Sequence, residues 1–290
     1  RKTMFAVLEK ELHPIIQSMF DEGNQVFAEE TLDVLHTLIL QTGELRSGVS
    51  SFLLSMVPRL VQSFDAWAGE YVSSDIVGPV EAYIAFDLDG LLSINALPAL
   101  MSIALRLWSD MFDDSEAVDG AKIADALVLG LARHQTCGSE MSNRIVVNLA
   151  RDAAKKCIAT KDRDGPLRVR LFGTVMLALY YDAELVVNEL GGSAQVMHLI
   201  SSVVSDLEAF TRIHDKKAAI LGLSAMLRVS GLGLDQTSPE LVRGIIGLQN
   251  RIDLQRAGDE HKNIQMNQLA TWATHGGNPV YAADTVSENP

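Results

Sequence analysis

The chain has 290 residues, 48% of them apolar, and a formal charge of −13, enough apolar material for a large core and an acid excess around it. That balance makes disorder no default reading and disfavours nucleic acid, whose phosphates are bound by clustered Lys and Arg; the dense basic stretches are RDAAKKCIATKDR (151–163) and RVR (168–170). The apolar stretch LLSINALPALMSIALRLW (91–108) is broken by Ser, Asn, Pro and Arg, short of the about 20 continuous apolar residues of a membrane helix.

The first residues, RKTMFAVLEKELHPIIQSMF (1–20), are already periodic and carry neither a charged leader nor a cleavable small-residue site, so the chain reads as a fragment of a longer one. In AEETLDVLHTLILQTG (28–43), Leu32, Leu35, Leu38 and Ile39 recur at three and four residues, an amphipathic stripe that Gly43 ends. The same spacing predicts helices over 24–42, 47–67, 70–86, 89–112, 117–135, 140–160, 166–182, 194–212, 215–230 and 238–256. Turn chemistry separates them in QTGELRSG (41–48), DDSEAVDG (113–120), KDRDGP (161–166) and ELGGS (189–193), and no stretch shows strand alternation. Pro166 and Pro239 stand at first helical positions. Short connections make successive helices antiparallel neighbours. Pairs begin near 24, 70, 117, 164 and 214, an interval of about 46 to 50 residues, close to that of HEAT repeats. The expected fold is all-α, a solenoid of stacked antiparallel HEAT-type helix pairs forming one unit of about five or six pairs over 1–290.

Gly222 lies inside the apolar run of IHDKKAAILGLSAML (213–227), beside Ala218, Ala219 and Ala225. A mid-helix glycine costs about 1 kcal/mol relative to Ala, so a close helix crossing is the expected compensation.

Catalytic and metal chemistry find little support. Cys137 and Cys157 lie in apolar or helical contexts without metal-ligand spacing, and His13, His36, His134, His198, His261 and His275 are scattered. His214 with Asp215 sits where a helix begins, so Asp215 is expected to cap it. FDLDGLLS (86–93) lacks the alternating oxygen ligands of a calcium loop, and Asp89 is expected as a cap. SGLGLDQ (230–236) lacks the Lys-Ser/Thr of a phosphate loop and reads as a helix stop. Tyr180, Tyr181, Trp67, Trp108 and Trp272 fall at core positions. No catalytic residue, cofactor site or metal site is assigned.

Four stretches, FAEETLDVLHTLILQTGELRSGVSSFLLSMVPRLVQSF (27–64), VGPVEAYIAFDLDGLLS (77–93), LFGTVMLALYYDAELVVNEL (171–190) and LEAFTRIHDKKAAILGLSAML (207–227), resemble in order the C-terminal part of the importin-β (karyopherin-β) superfamily, most of all its importin seven and importin eight branch. The resemblance implies a HEAT-repeat nuclear import receptor that shuttles between cytoplasm and nucleus. Its implied partners are basic protein cargo such as ribosomal proteins and histones, the small GTPase Ran, FG-repeat nucleoporins and importin-β. The family's principal Ran-binding repeats are N-terminal, so no Ran contact is carried onto this chain. The acid excess points independently to basic partners.

One departure stands out. The branch carries a long acidic loop before its last helices, whereas this chain runs from QNRIDLQRAGDEHKN (249–263) directly into IQMNQLATWATHGGNPVYAAD (264–284), as though two segments were joined near 257–264, with Asp259 and Glu260 at the edge of the missing tract. Carboxylates expected to meet cargo are Asp110, Asp113, Asp114, Glu116 and Asp119 in one inter-helix turn, and Asp206 and Glu208 on the second helix of a repeat, which in this family lines the concave surface. Rival readings are an export receptor of the importin-α recycling type, a HEAT scaffold outside transport and, last, an enzyme.

Overall fold

The computed structural model describes residues 2–21, 25–44, 48–66, 73–109, 112–134, 138–160, 165–204, 207–229, 239 and 241–259. It divides into Arg1–Ile245 and Ile246–Pro290. Among the described residues the regular elements are helices: α1 (Lys2–Met19), α2 (Ala28–Glu44), α3 (Ser51–Ala66), α4 (Ser73–Phe86), α5 (Leu88–Ser93), α6 (Leu97–Leu107), α7 (Asp114–Arg133), α8 (Glu140–Ala159), α9 (Pro166–Tyr181), α10 (Ala183–Glu189), α11 (Ser193–Val204) and α12 (Ile213–Met226). Residues 241–259 form α13, and 3-10 turns occupy Gln25–Phe27 and Leu207–Ala209. In the second unit the described residues, 246–259, are all helical.

Within the first unit, α2, α4, α7, α9 and α12 pack side by side in succession, each on the next. A second row, α3, α6, α8 and α10, lies against them, with α6 on α7 and α8 on α9. The architecture is the expected all-α solenoid, with one refinement. The second helix of a pair leans more on the first helix of the following pair than on its own partner, α8 meeting α9 more extensively than α7. Each joint between repeats is therefore a three-helix contact.

α9 sits at the centre, against α7, α8, α10 and α12, and every residue from Leu167 to Leu179 is buried. Apart from Arg168, Arg170 and Thr174 its buried residues are apolar or glycine, the pattern of a helix with little solvent face. Aromatic side chains tie neighbouring elements together. Trp108 donates from Nε1 to the Ala117 carbonyl at 3.0 Å, Tyr83 from its hydroxyl to the Leu53 carbonyl at 2.6 Å, and Phe172 meets Phe210 edge-on at 5.9 Å.

Two boundaries differ from the periodicity reading. The span 89–112 splits into α5 and α6, because Asn95 takes a left-handed φ of 53° and Pro98 stands in the first turn of the next helix. The break after 182 contains α10. Asp182 ends α9 and also caps α10, accepting from the Leu185 amide at 3.0 Å. Asp87, rather than Asp89, caps α5, accepting from Gly90 N at 2.9 Å.

Gly222 is at the crossing of α12 on α9. A Cβ there would lie 2.5 Å from the Met176 carbonyl oxygen and 2.6 Å from its Cα, so backbone rather than a pliable side chain blocks it. Gly173, also mid-helix and buried, has nothing within 4 Å of such a Cβ. Gly222→Ala is therefore expected to destabilise the chain by about 2 kcal/mol, while Gly173→Ala stabilises it by about 0.5 to 1 kcal/mol through helix propensity. Urea midpoints of the two variants moving in opposite directions is the measurement that checks this pair.

Candidate binding cleft

The joint between α4 and α7 holds a cleft of about 830 Å³. Helical spacing aligns its walls: Val77, Glu81 and Ile84 recur along one face of α4, and Lys122, Asp125, Leu129 and Arg133 along one face of α7. Arg170 of α9 and His214 of α12 also line it.

The buried side of the cleft is a cluster of charges. Asp125, 5% exposed, accepts a hydrogen bond from the Thr174 hydroxyl at 2.6 Å. Arg170, 9% exposed, places Nη1 3.5 Å from Asp125 and 3.4 Å from Asp215, so one guanidinium on α9 serves carboxylates from α7 and α12. Asp215 also accepts from Arg212 Nε at 3.2 Å. The Nε of Arg170 is buried without a hydrogen-bond partner. Burial pushes the Asp125 carboxyl up to about 7, against the pull of the Thr174 hydrogen bond and the Arg170 charge. Burial also raises Glu81, with Lys122 and Arg170 opposing it. The His214 imidazole, 4.0 Å from Asp125, is held below its ordinary value by burial first and the Arg170 charge second. At the rim, Lys122 pairs with Asp119 at 2.7 Å and His134 with Asp89 at 2.9 Å.

Thr174, the hydroxyl beside Asp125, is fully buried and unable to reach a substrate, and no group of three His, Cys, Asp or Glu among the described residues could hold a metal.

The carboxylates expected from sequence to meet cargo fall elsewhere. Asp113 is the N-cap of α7, accepting from the Ser115 and Glu116 amides at 2.8 and 3.1 Å, while Glu116 accepts from the Asp113 amide at 2.9 Å; the two form a capping box. Asp114 is exposed in the first turn, and Asp119 is buried against Lys122. Glu208 is exposed on the turn Leu207–Ala209, and Asp259 is exposed on α13. Asp110, Asp206 and Glu260 lie outside the described residues, as do Trp67, Trp272, Cys137, 230–236 and 260–264. Asp215 does not cap α12: the N-cap is Arg212, without a side-chain bond, and the Asp215 carboxylate turns to Arg170 and Arg212 instead. Asp89 meets His134. Trp108 and Tyr181 are core residues as expected, Tyr181 accepting from Gly138 N and donating to Asn143 Oδ1 at 2.8 and 2.7 Å, whereas Tyr180 is 42% exposed. Cys157 is buried, its thiol pushed up to about 11 by that burial.

The sequence reading missed Glu81, Asp125, Arg170 and Asp215 as a set. Its signal was present: positions 81, 125, 170 and 215 follow one another at intervals of 44, 45 and 45 residues, one per repeat. They lie on α4, α7, α9 and α12, which pack in succession. Recurrence at the repeat period relates residues of successive repeats, and three of the four, Asp125, Arg170 and Asp215, meet in the structure.

No family model and no solved structure matches the chain. Among curated proteins it is 21% identical over 275 residues to the "Probable importin-7 homolog" of Dictyostelium discoideum, an alignment covering 89% of this chain and 24% of that protein. It is 17% identical over 232 residues to a protein named as a probable importin of Encephalitozoon cuniculi (strain GB-M1), covering 79% of this chain and 23% of that one. The chain thus spans about a quarter of the length of these relatives. The similarity is low in identity and extends over most of the chain, which supports membership of the importin-β superfamily.

Two outcomes follow from the charge cluster. Arg170→Met leaves two buried carboxylates without their shared cation and is expected to cost about 3 to 5 kcal/mol, much of it recovered when Asp125→Leu and Asp215→Leu are added; denaturant titration of the single and triple variants checks this. Folded Asp125 holds its proton up to about pH 7, whereas the unfolded chain releases it near the ordinary 3.8. The linked stabilisation is full below the lower value and is lost as pH rises through the upper one. Asp125→Asn is therefore expected to flatten the decline in melting temperature between about pH 5 and about pH 8.

Proposed function

We propose that this chain is part of a nuclear transport receptor of the importin-β superfamily, one that binds basic protein cargo reversibly. The observation that carries the reading is the similarity to an importin-7 homolog over 89% of the chain. The formal charge of −13 supports the choice of basic cargo, because an acidic surface steers Lys- and Arg-rich partners inward. A stack whose repeats contact mainly their neighbours suits the task, since it accommodates a partner through many small adjustments. In the whole receptor, Ran with bound GTP releases the cargo, FG-repeat nucleoporins carry the complex through the pore, and the protein shuttles between cytoplasm and nucleus. The work is binding, and no covalent step is assigned to this chain.

Of the acidic residues, Asp114, Glu208 and Asp259 are the cargo contacts best supported by exposure. Asp113 and Glu116 are engaged in capping their own helix, and reversing them would confound binding with folding. The test is capture of basic ribosomal proteins and histones from nuclear extract on the full-length protein, with and without GTP-locked Ran. Capture that Ran-GTP abolishes, and that Asp114→Lys with Glu208→Lys weakens about fivefold, is the expected result. Recruitment by Ran-GTP would identify an export receptor, and indifference to Ran would remove the transport reading.

A further inference from the structure

α1 belongs to the second row. Glu9 accepts a hydrogen bond from the Ser50 hydroxyl at the start of α3, His13 stacks on Phe52 with ring centres 3.7 Å apart, and the Gln17 carbonyl accepts from Arg59 Nη1 at 3.4 Å. These contacts ascend together along α1 and α3, so the two helices run parallel, with α2 between them in the chain and packed on α1. A second-row helix such as α8 lies against the first helix of its own pair, α7, and against the first helix of the next, α9. For α1 the next is α2. On the side of α1 opposite Glu9 and Ile16 the helix is uncovered: Met4, Val7, Leu8 and Ile15 are 48% to 74% exposed. Positions 4, 8, 11 and 15 fall in one stripe, apolar but for Glu11. The outer face of the same row is otherwise different, since α3 exposes Ser51, Ser55, Pro58 and Gln62. An apolar stripe of this kind marks a surface built for contact rather than for water.

We propose that this face of α1 receives a further first-row helix of the same polypeptide, from the segment N-terminal to Arg1, antiparallel to α1 and completing its pair as α7 completes that of α8. The incoming helix places apolar residues at three- and four-residue spacing against Met4, Leu8 and Ile15, with a Lys or Arg opposite Glu11. From Met4 to Ile15 the stripe is about 16 Å long at about 1.5 Å per residue, so about three turns of helix cover it. The direction of the row favours this occupant over a second copy, because a helix set antiparallel on α1 continues the succession of α2, α4, α7, α9 and α12 by one place. The relatives have room for it, since the alignments with this chain take up only 24% and 23% of their lengths. The inference goes beyond the reading of the chain as a transport receptor: it stands on the packing of α1, and cargo capture bears on it in neither direction.

The test uses the full-length protein with a cysteine at Leu8 and, as the exposed reference, one at Ser102 of α6. Alkylation by N-ethylmaleimide, followed on the tryptic peptides by mass spectrometry, is expected to be about a hundredfold slower for Leu8→Cys than for Ser102→Cys. On irradiation, p-benzoylphenylalanine placed at Val7 should cross-link to a peptide N-terminal to Arg1 within the same molecule. Equal alkylation rates would show the face open to water in the whole protein and overturn the inference. So would a cross-link that joins two copies, or one that ends within 1–290, because the occupant would then be a second molecule or another part of this chain.

Discussion

Arg170 is the pivot of the first unit. It is carried by α9, buried on nearly all sides, and it links α7 to α12 through a shared guanidinium. Replacement of such a buried cluster by well-packed apolar groups is often neutral or stabilising, so its contribution to net stability is small compared with its contribution to register. Sliding α9 by a turn against α7 or α12 would strand a carboxylate or the guanidinium in the core. Apolar contacts alone, which tolerate many arrangements, impose no comparable restriction.

Around that pivot the stack is closed by shape. Gly222 lets α12 approach the α9 backbone, and Gly120 does the same for α7 on α6, where a Cβ would meet the Ala104 carbonyl at 2.9 Å. The charge cluster sets which residues face each other, and the glycines set how near the backbones come. Neither device works alone, since close approach without register would bury the charges unpaired.

Much of this was legible from the order of residues. Apolar spacing of three and four located the long helices, and Gly222 announced a close crossing. The departures have local causes: a left-handed Asn95 divides one apparent helix, and Asp182 serves two helices at once. The cleft was less legible, because its charged residues lie about 45 positions apart and each looks unremarkable in its own helix. Conversely, DDSEAVDG drew attention by local density, although two of its carboxylates serve to start α7 and a third pairs within the same helix. Density of charge measures exposure to water; recurrence of charge at the repeat interval measures contact between repeats.

The placement of the Asp125–Arg170–Asp215 cluster also has a mechanical meaning. Prising α9 from α7 or α12 separates opposite charges in a medium of low dielectric, where their attraction is strong. Across the joint between α4 and α7 the described residues form no such ion pair, and the contact is one of apolar packing beside an open cleft. The stack is thus a spring of uneven stiffness, rigid from α7 to α12 and compliant at the α4 joint, and flexing under load concentrates where the cleft already lies.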